Sequence, residues 1–234
     1  MTFSPSFGRI FSPSFKPNSL ADAVVAGGWW LTGGISAANC IAAYQPKGAA
    51  DLAGSYVNLA NPGTYNLTLG TAPTWDVTNG WIFTNAGATY LKTGVIPEND
   101  KTWSMIFKFS NYTAGGNWAT PCGMWSASGQ GFAITTGAGT KYGFYNGGYQ
   151  GGENSVTNGV LAVAGNQGYY NGVDKTADIG TGAAAFEDDI YIGGPNNIGT
   201  FYQAVNIYIQ AIAIYDVALS ATQVGTLTTA MNAL

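Results

Sequence analysis

Short runs of alternating apolar and polar residues fill most of this chain, and sustained helical spacing occurs only near its end. Between Thr102 and Ser110, Trp103, Met105, Phe107 and Phe109 fall on one face while Thr102, Ser104, Lys108 and Ser110 fall on the other, which predicts a strand with one buried and one wet side. Similar runs predict strands at residues 81–84, 89–92, 131–135, 141–145, 160–164, 168–171 and 189–193. From Val205 onward the period of two places Val205, Ile207, Ile209, Ala211, Ala213 and Tyr215 on a core face. The opposite face then carries Asn206, Tyr208, Gln210, Ile212 and Ile214. Ser220 with Gln223 three residues later forms a capping-box pattern, Leu219 can staple onto Val224, and Val224, Leu227, Met231 and Leu234 make one stripe. A helix over residues 221–232 follows. Asn79-Gly80, Asn146-Gly147, Asn158-Gly159 and Asn171-Gly172 each supply the pair that suits a type I′ hairpin turn. The expected class is all-β: a two-sheet antiparallel sandwich with one short C-terminal helix.

Composition narrows the partners. The 234 residues suffice for one large sandwich. Only 9% of them are charged, against about 25% in ordinary proteins, and 34 are glycine. Asn, Gln, Ser, Thr, Gly and Tyr must therefore build the surface. A net charge of −4 without a basic stripe argues against nucleic acid, and weak self-repulsion favours a chain that sits in an assembly, a homo-oligomer among them. No run approaches the roughly 20 apolar residues of a membrane span. The first residues lack a basic n-region followed by an apolar h-region, so no Sec route is expected. Cys40 and Cys122 could form one internal bridge or remain two buried thiols.

Phe-Ser-Pro-Ser-Phe occurs twice, at residues 3–7 and 11–15. Pro5, Pro13 and Pro17 exclude a regular helix or central strand there. Residues 1–22 are thus expected to form an extended arm, leaving 23–234 as the domain. Phe3, Phe7, Phe11 and Phe15 are costly to leave in water, so the arm should dock, either on its own domain or as a subunit anchor on a neighbour, with a disordered or leader-like tail as the remaining alternative.

Several segments, in order, resemble landmarks of the laminin G-like and concanavalin A-like jelly rolls. These are Gly80-Trp81-Ile82-Phe83 with Ala88-Thr89-Tyr90-Leu91, then Trp103 to Phe107, Tyr169-Tyr170-Asn171-Gly172-Val173, Ile190 to Gly194, and the last strand with its closing helix. The doubled Phe-Ser-Pro-Ser-Phe ahead of such a domain resembles tailed-bacteriophage structural proteins. That resemblance implies a virion protein (capsid decoration, head fibre or tail-associated) with capsid or tail proteins as partners. The alternative it implies is a carbohydrate-binding adhesion module of the concanavalin A-like class, with a surface glycan as partner.

The chain contains no histidine. This removes the Ser-His-Asp and Cys-His arrangements and the usual zinc ligand sets. Glu98, Glu153 and Glu187 do not form the Glu-x-Asp-x-x-Glu strand of the jelly-roll glucanases, so no enzymatic activity and no cofactor are expected. Asp188 and Asp189 could border a calcium ion, but two acids beside a strand read more simply as a solvated strand end, and no metal is expected. For a sugar, the candidate contacts are Asn117 with Trp118 and Tyr149 with Gln150, where an aromatic ring sits beside an amide in a glycine-rich stretch.

Overall fold

This computed structural model describes residues 28–98, 102–113, 119–126, 130–138, 141–154, 156–176, 179 and 186–234. The expected arm with Phe3, Phe7, Phe11 and Phe15, and the pair Asn117 and Trp118, lie outside the described residues.

Two sheets face each other. The first has eight strands: β1 (Cys40–Tyr44), β3 (Thr74–Asp76), β4 (Gly80–Phe83), β6 (Ser104–Thr113), β11 (Gly159–Ala164), β12 (Gln167–Tyr170), β13 (Val173–Asp174) and β17 (Asn206–Tyr215). The second has nine: β2 (Thr68–Thr71), β5 (Tyr90–Lys92), β7 (Cys122–Trp125), β8 (Gly131–Ala138), β9 (Lys141–Asn146), β10 (Gly148–Asn154), β14 (Tyr191–Ile192), β15 (Asn196–Asn197) and β16 (Thr200–Phe201). All pairings among the described strands are antiparallel except that of β15 with β7. The expected sandwich is the observed one. Its inter-sheet core is aromatic and aliphatic, with Trp81, Phe83, Met105, Phe107, Phe132, Phe144 and Ile192 all buried. The indole of Trp81 spends its one donor on Ser55 Oγ at 2.8 Å, so this large side chain enters the core without stranding a polar group.

β6 places Met105, Phe107 and Phe109 in that core as its alternation predicts, and Trp103 just before the strand joins them. Its other side is not wet. The helix α1 (Ala221–Asn232) lies over it, and Ile106 joins Val224, Leu227 and Met231 in a second core. Lys108, on the same side, donates from Nζ to the Met231 carbonyl at 2.8 Å, a cation at the end of a helix where unpaired carbonyls concentrate. Ser220 caps α1 with both halves of the capping box formed.

β17 departs from simple alternation. Its register with β6 shifts between Ile209 and Ala211. As a result Ile207, Ile209, Ile212 and Ile214 share the inter-sheet core, while Ala211, Ala213 and Tyr215 face α1. An inserted residue in a strand reverses the facing of everything after it. Both sides of β17 are buried, so the wrong phase costs the sequence reading nothing visible in hydrophobicity.

The four Asn-Gly pairs also part company. Asn171 (φ 50°) and Gly172 (φ 78°) both take positive φ between Tyr170 and Val173, the two-residue hairpin expected. Asn79-Gly80 instead closes a three-residue loop in which Asp76 Oδ1 accepts from the backbone of Thr78 and Asn79. Asn158-Gly159 leads into β11, which pairs with β12 and β6 and not with the preceding strand.

Candidate functional site

Pairing register draws one continuous row of residues across the nine-stranded sheet. Lys92 on β5 pairs Tyr191 on β14, Tyr191 pairs Gly123 on β7, Gly123 pairs Ala133 on β8, Ala133 pairs Tyr145 on β9, and Tyr145 pairs Tyr149 on β10. Paired residues share a face, and the neighbours Leu91, Ile192, Cys122, Met124, Phe132, Ile134 and Phe144 point into the core. The row therefore lies on the sheet's outer side. Its ends are aromatic and its middle is small.

Around Tyr149 the rings form a cluster. Tyr145 and Tyr149 lie 4.6 Å apart between centroids at 34°, and Trp125 meets Tyr145 edge-on at 4.3 Å and 88°. Tyr149 is 39% exposed on the edge strand, with Tyr145 and Trp125 half-buried behind it. Two of these rings rest on glycine. A Cβ built on Gly143 would come within 2.6 Å of the Tyr149 ring, and one on Gly131 within 2.5 Å of the Trp125 indole. Each ring occupies space that a side chain on the glycine would fill. Burial holds the Tyr149 and Tyr145 phenols above the ordinary tyrosine range, so both stay neutral and keep a hydroxyl that can donate and accept.

The far end repeats the design. Tyr90 stacks on Phe201 at 4.3 Å and 16° and meets Tyr191 at 5.1 Å; Tyr90 overlies Gly70 and Phe201 overlies Gly194. Lys92 Nζ sits 5.6 Å from the Tyr191 ring centroid and 6.0 Å from that of Tyr90, within cation–π range. Three strand spacings of about 4.8 Å separate Tyr191 from Tyr145, or roughly 14 Å.

Of the sugar-contact residues expected from sequence, Tyr149 is in this cluster. Gln150 is not beside it. Gln150 pairs Phe144, which points into the core, so the two successive residues face opposite ways. Trp125, Tyr145, Tyr90, Tyr191, Phe201 and Lys92 were not expected as contacts: Tyr145 opens the same glycine-rich stretch as Tyr149, and the others are gathered only by non-local pairing. Asp189, weighed for calcium, is already engaged. Its Oδ2 accepts from Gly94 N at 2.9 Å and its Oδ1 from Asn196 Nδ2 at 3.1 Å. Burial raises its pKa, and no cluster of three or more acidic, cysteine or histidine side chains occurs among the described residues. Cys40 and Cys122 are free and buried, each in a different core.

No protein-family model matches the chain, and no curated protein matches it in sequence. Solved structures do match in fold. A Trypanosoma rangeli sialidase held as a covalent intermediate with 2,3-difluorosialic acid aligns with a TM-score of 0.60 at 12% identity, over 83% of this chain and 33% of that one. The same sialidase in complex with sialic acid gives 0.59 at 12% identity, again over 83% and 33%. A mutant of a protein described as HCR/D gives 0.54 at 15% identity, over 82% of this chain and 52% of that one. The chain thus spans about a third of the length of the sialidases it matches. These likenesses bear out the two-sheet sandwich. They leave the laminin G and bacteriophage parts of the resemblance without support.

They also correct one expectation. The absence of histidine and of a paired-carboxylate strand was read as excluding an enzyme, yet the sandwich recurs inside sialidase chains. Sialidases are an exception to the two-carboxylate rule, using a tyrosine nucleophile. The absence of histidine and of that motif therefore does not by itself exclude an enzyme.

Proposed function

We propose that this chain is a carbohydrate-binding β-sandwich module whose contact surface is the Trp125, Tyr145 and Tyr149 cluster. The observation that carries this reading is the pair of rings packed over Gly131 and Gly143, with Tyr149 exposed at the sheet edge. A pyranose presents an apolar C–H face that stacks on such a ring, and its hydroxyls pair with the neutral phenols alongside. A surface poor in charge suits a ligand recognised through stacking and hydrogen bonds. The fold likeness to a sialidase solved with sialic acid supports a glycan partner and makes sialylated oligosaccharides a sensible part of any test panel.

The expectation of a virion structural protein draws no support from these neighbours and gives way to the carbohydrate reading. To test it, the full chain and its Tyr149→Ala and Trp125→Ala variants are titrated calorimetrically against neutral and sialylated oligosaccharides. The expected result is saturable binding by the parent that weakens about tenfold or more in each variant. Binding unchanged in both variants, or no glycan bound by the parent, would overturn it.

A further inference from the structure

On the opposite side of the sandwich, a groove of about 980 Å³ runs between α1 and the short 3-10 turn Trp29–Leu31. Trp30, Leu59, Gly225, Ala230 and Leu234 are among its lining, and no charged side chain is among the described residues that line it. α1 itself contains no charged residue, although a helix with one solvated side ordinarily carries charge there.

Gly225 sharpens the point. Glycine in a helix interior is unfavourable relative to alanine, and a neighbour usually explains it by close approach. A Cβ on Gly225 would meet nothing within 4 Å. The space above it is kept open on the groove side without any described residue using it.

We infer that residues 20–26 of this same chain occupy the groove. The described domain begins at Gly28 on the groove's rim, so the residues immediately before it reach the groove without a linker. They read Leu-Ala-Asp-Ala-Val-Val-Ala, with Leu20, Val24 and Val25 as large apolar side chains and Asp22 as the one charge. Tethering at Gly28 gives this segment an effective concentration that a second copy or a free ligand must exceed. The Phe-Ser-Pro-Ser-Phe repeats are a poorer fit, since Phe15 is separated from Gly28 by 12 residues that a seat in this groove would have to loop out. On this assignment the repeats remain available to another molecule.

The test uses full-length variants and amide hydrogen exchange over residues 222–234. Leu20→Asp combined with Val24→Asp should speed exchange there about tenfold or more while β6 and β17 stay protected. Gly225→Leu, which fills the groove from the helix side, should displace the segment and raise exchange across residues 20–26. Phe7→Ser combined with Phe15→Ser should change neither region. Loss of protection in the phenylalanine variant would overturn the assignment in favour of the repeats, and protection that rises with protein concentration would do so in favour of a second copy. Unchanged exchange in the Leu20 and Val24 variant would show that these residues do not fill the groove.

Discussion

A ring lying on a glycine keeps its place only while that glycine stays bare. Gly143→Ala would put a methyl carbon 2.6 Å from the Tyr149 ring and 2.8 Å from Thr135 Oγ1, so the ring must lift. Tyr149 is partly exposed and can move, whereas the Thr135 hydroxyl is buried, so the substitution should cost about 1–3 kcal/mol. The expected outcome is a glycan affinity that falls as in Tyr149→Ala together with a urea midpoint lowered by that amount. Cys40 offers a second test at this scale. Burial first, then the negative charge of Asp216, pushes its thiol from 9.0 to about 12, against a lowering hydrogen bond with Tyr215. A group whose folded pKa is raised stabilises the fold fully below its unfolded pKa and loses that contribution as pH climbs to the folded value. Stability measured by urea denaturation in reductant should therefore hold up to about pH 9 and decline toward pH 12, with Tyr191, raised to about 12, adding to the fall. A thiol reagent at pH 8 should label neither Cys40 nor Cys122 until denaturant is added.

Elements defined by their own few residues were legible in the sequence, and elements defined by their partners were not. The bounds of α1 and its cap came straight from Ser220, Gln223 and the apolar stripe, because capping is a contact between residues three apart. Ser220→Ala should accordingly cost about 1 kcal/mol in chemical denaturation. The facing of Ile212 and Ile214 was missed because a bulge leaves no trace when both sides of a strand are apolar. Ile212→Ala should cost about 2–5 kcal/mol, as for an inter-sheet core residue, and a cost well below that would contradict its burial. Tyr149 was found through its glycine-rich surroundings and the amide beside it. Trp125 and the part played by Tyr145 were not, since the proximity of these rings depends on four strands, β7 to β10, pairing in one register.

For the molecule as a whole, the two sheets have unlike outsides. The eight-stranded sheet is roofed by α1, and the nine-stranded sheet carries the aromatic row. Gly28, where the described domain begins, sits on the roofed side beside α1. The core thickness of the sandwich, about 10 Å between sheets, therefore stands between the point where the N-terminal segment joins and the surface that would meet a sugar. A support attached close to Gly28 would hold the domain from behind. Copies fixed side by side on a common support would all turn their tyrosines outward, and a weak grip by each would multiply into a strong one on any surface dense in the same glycan.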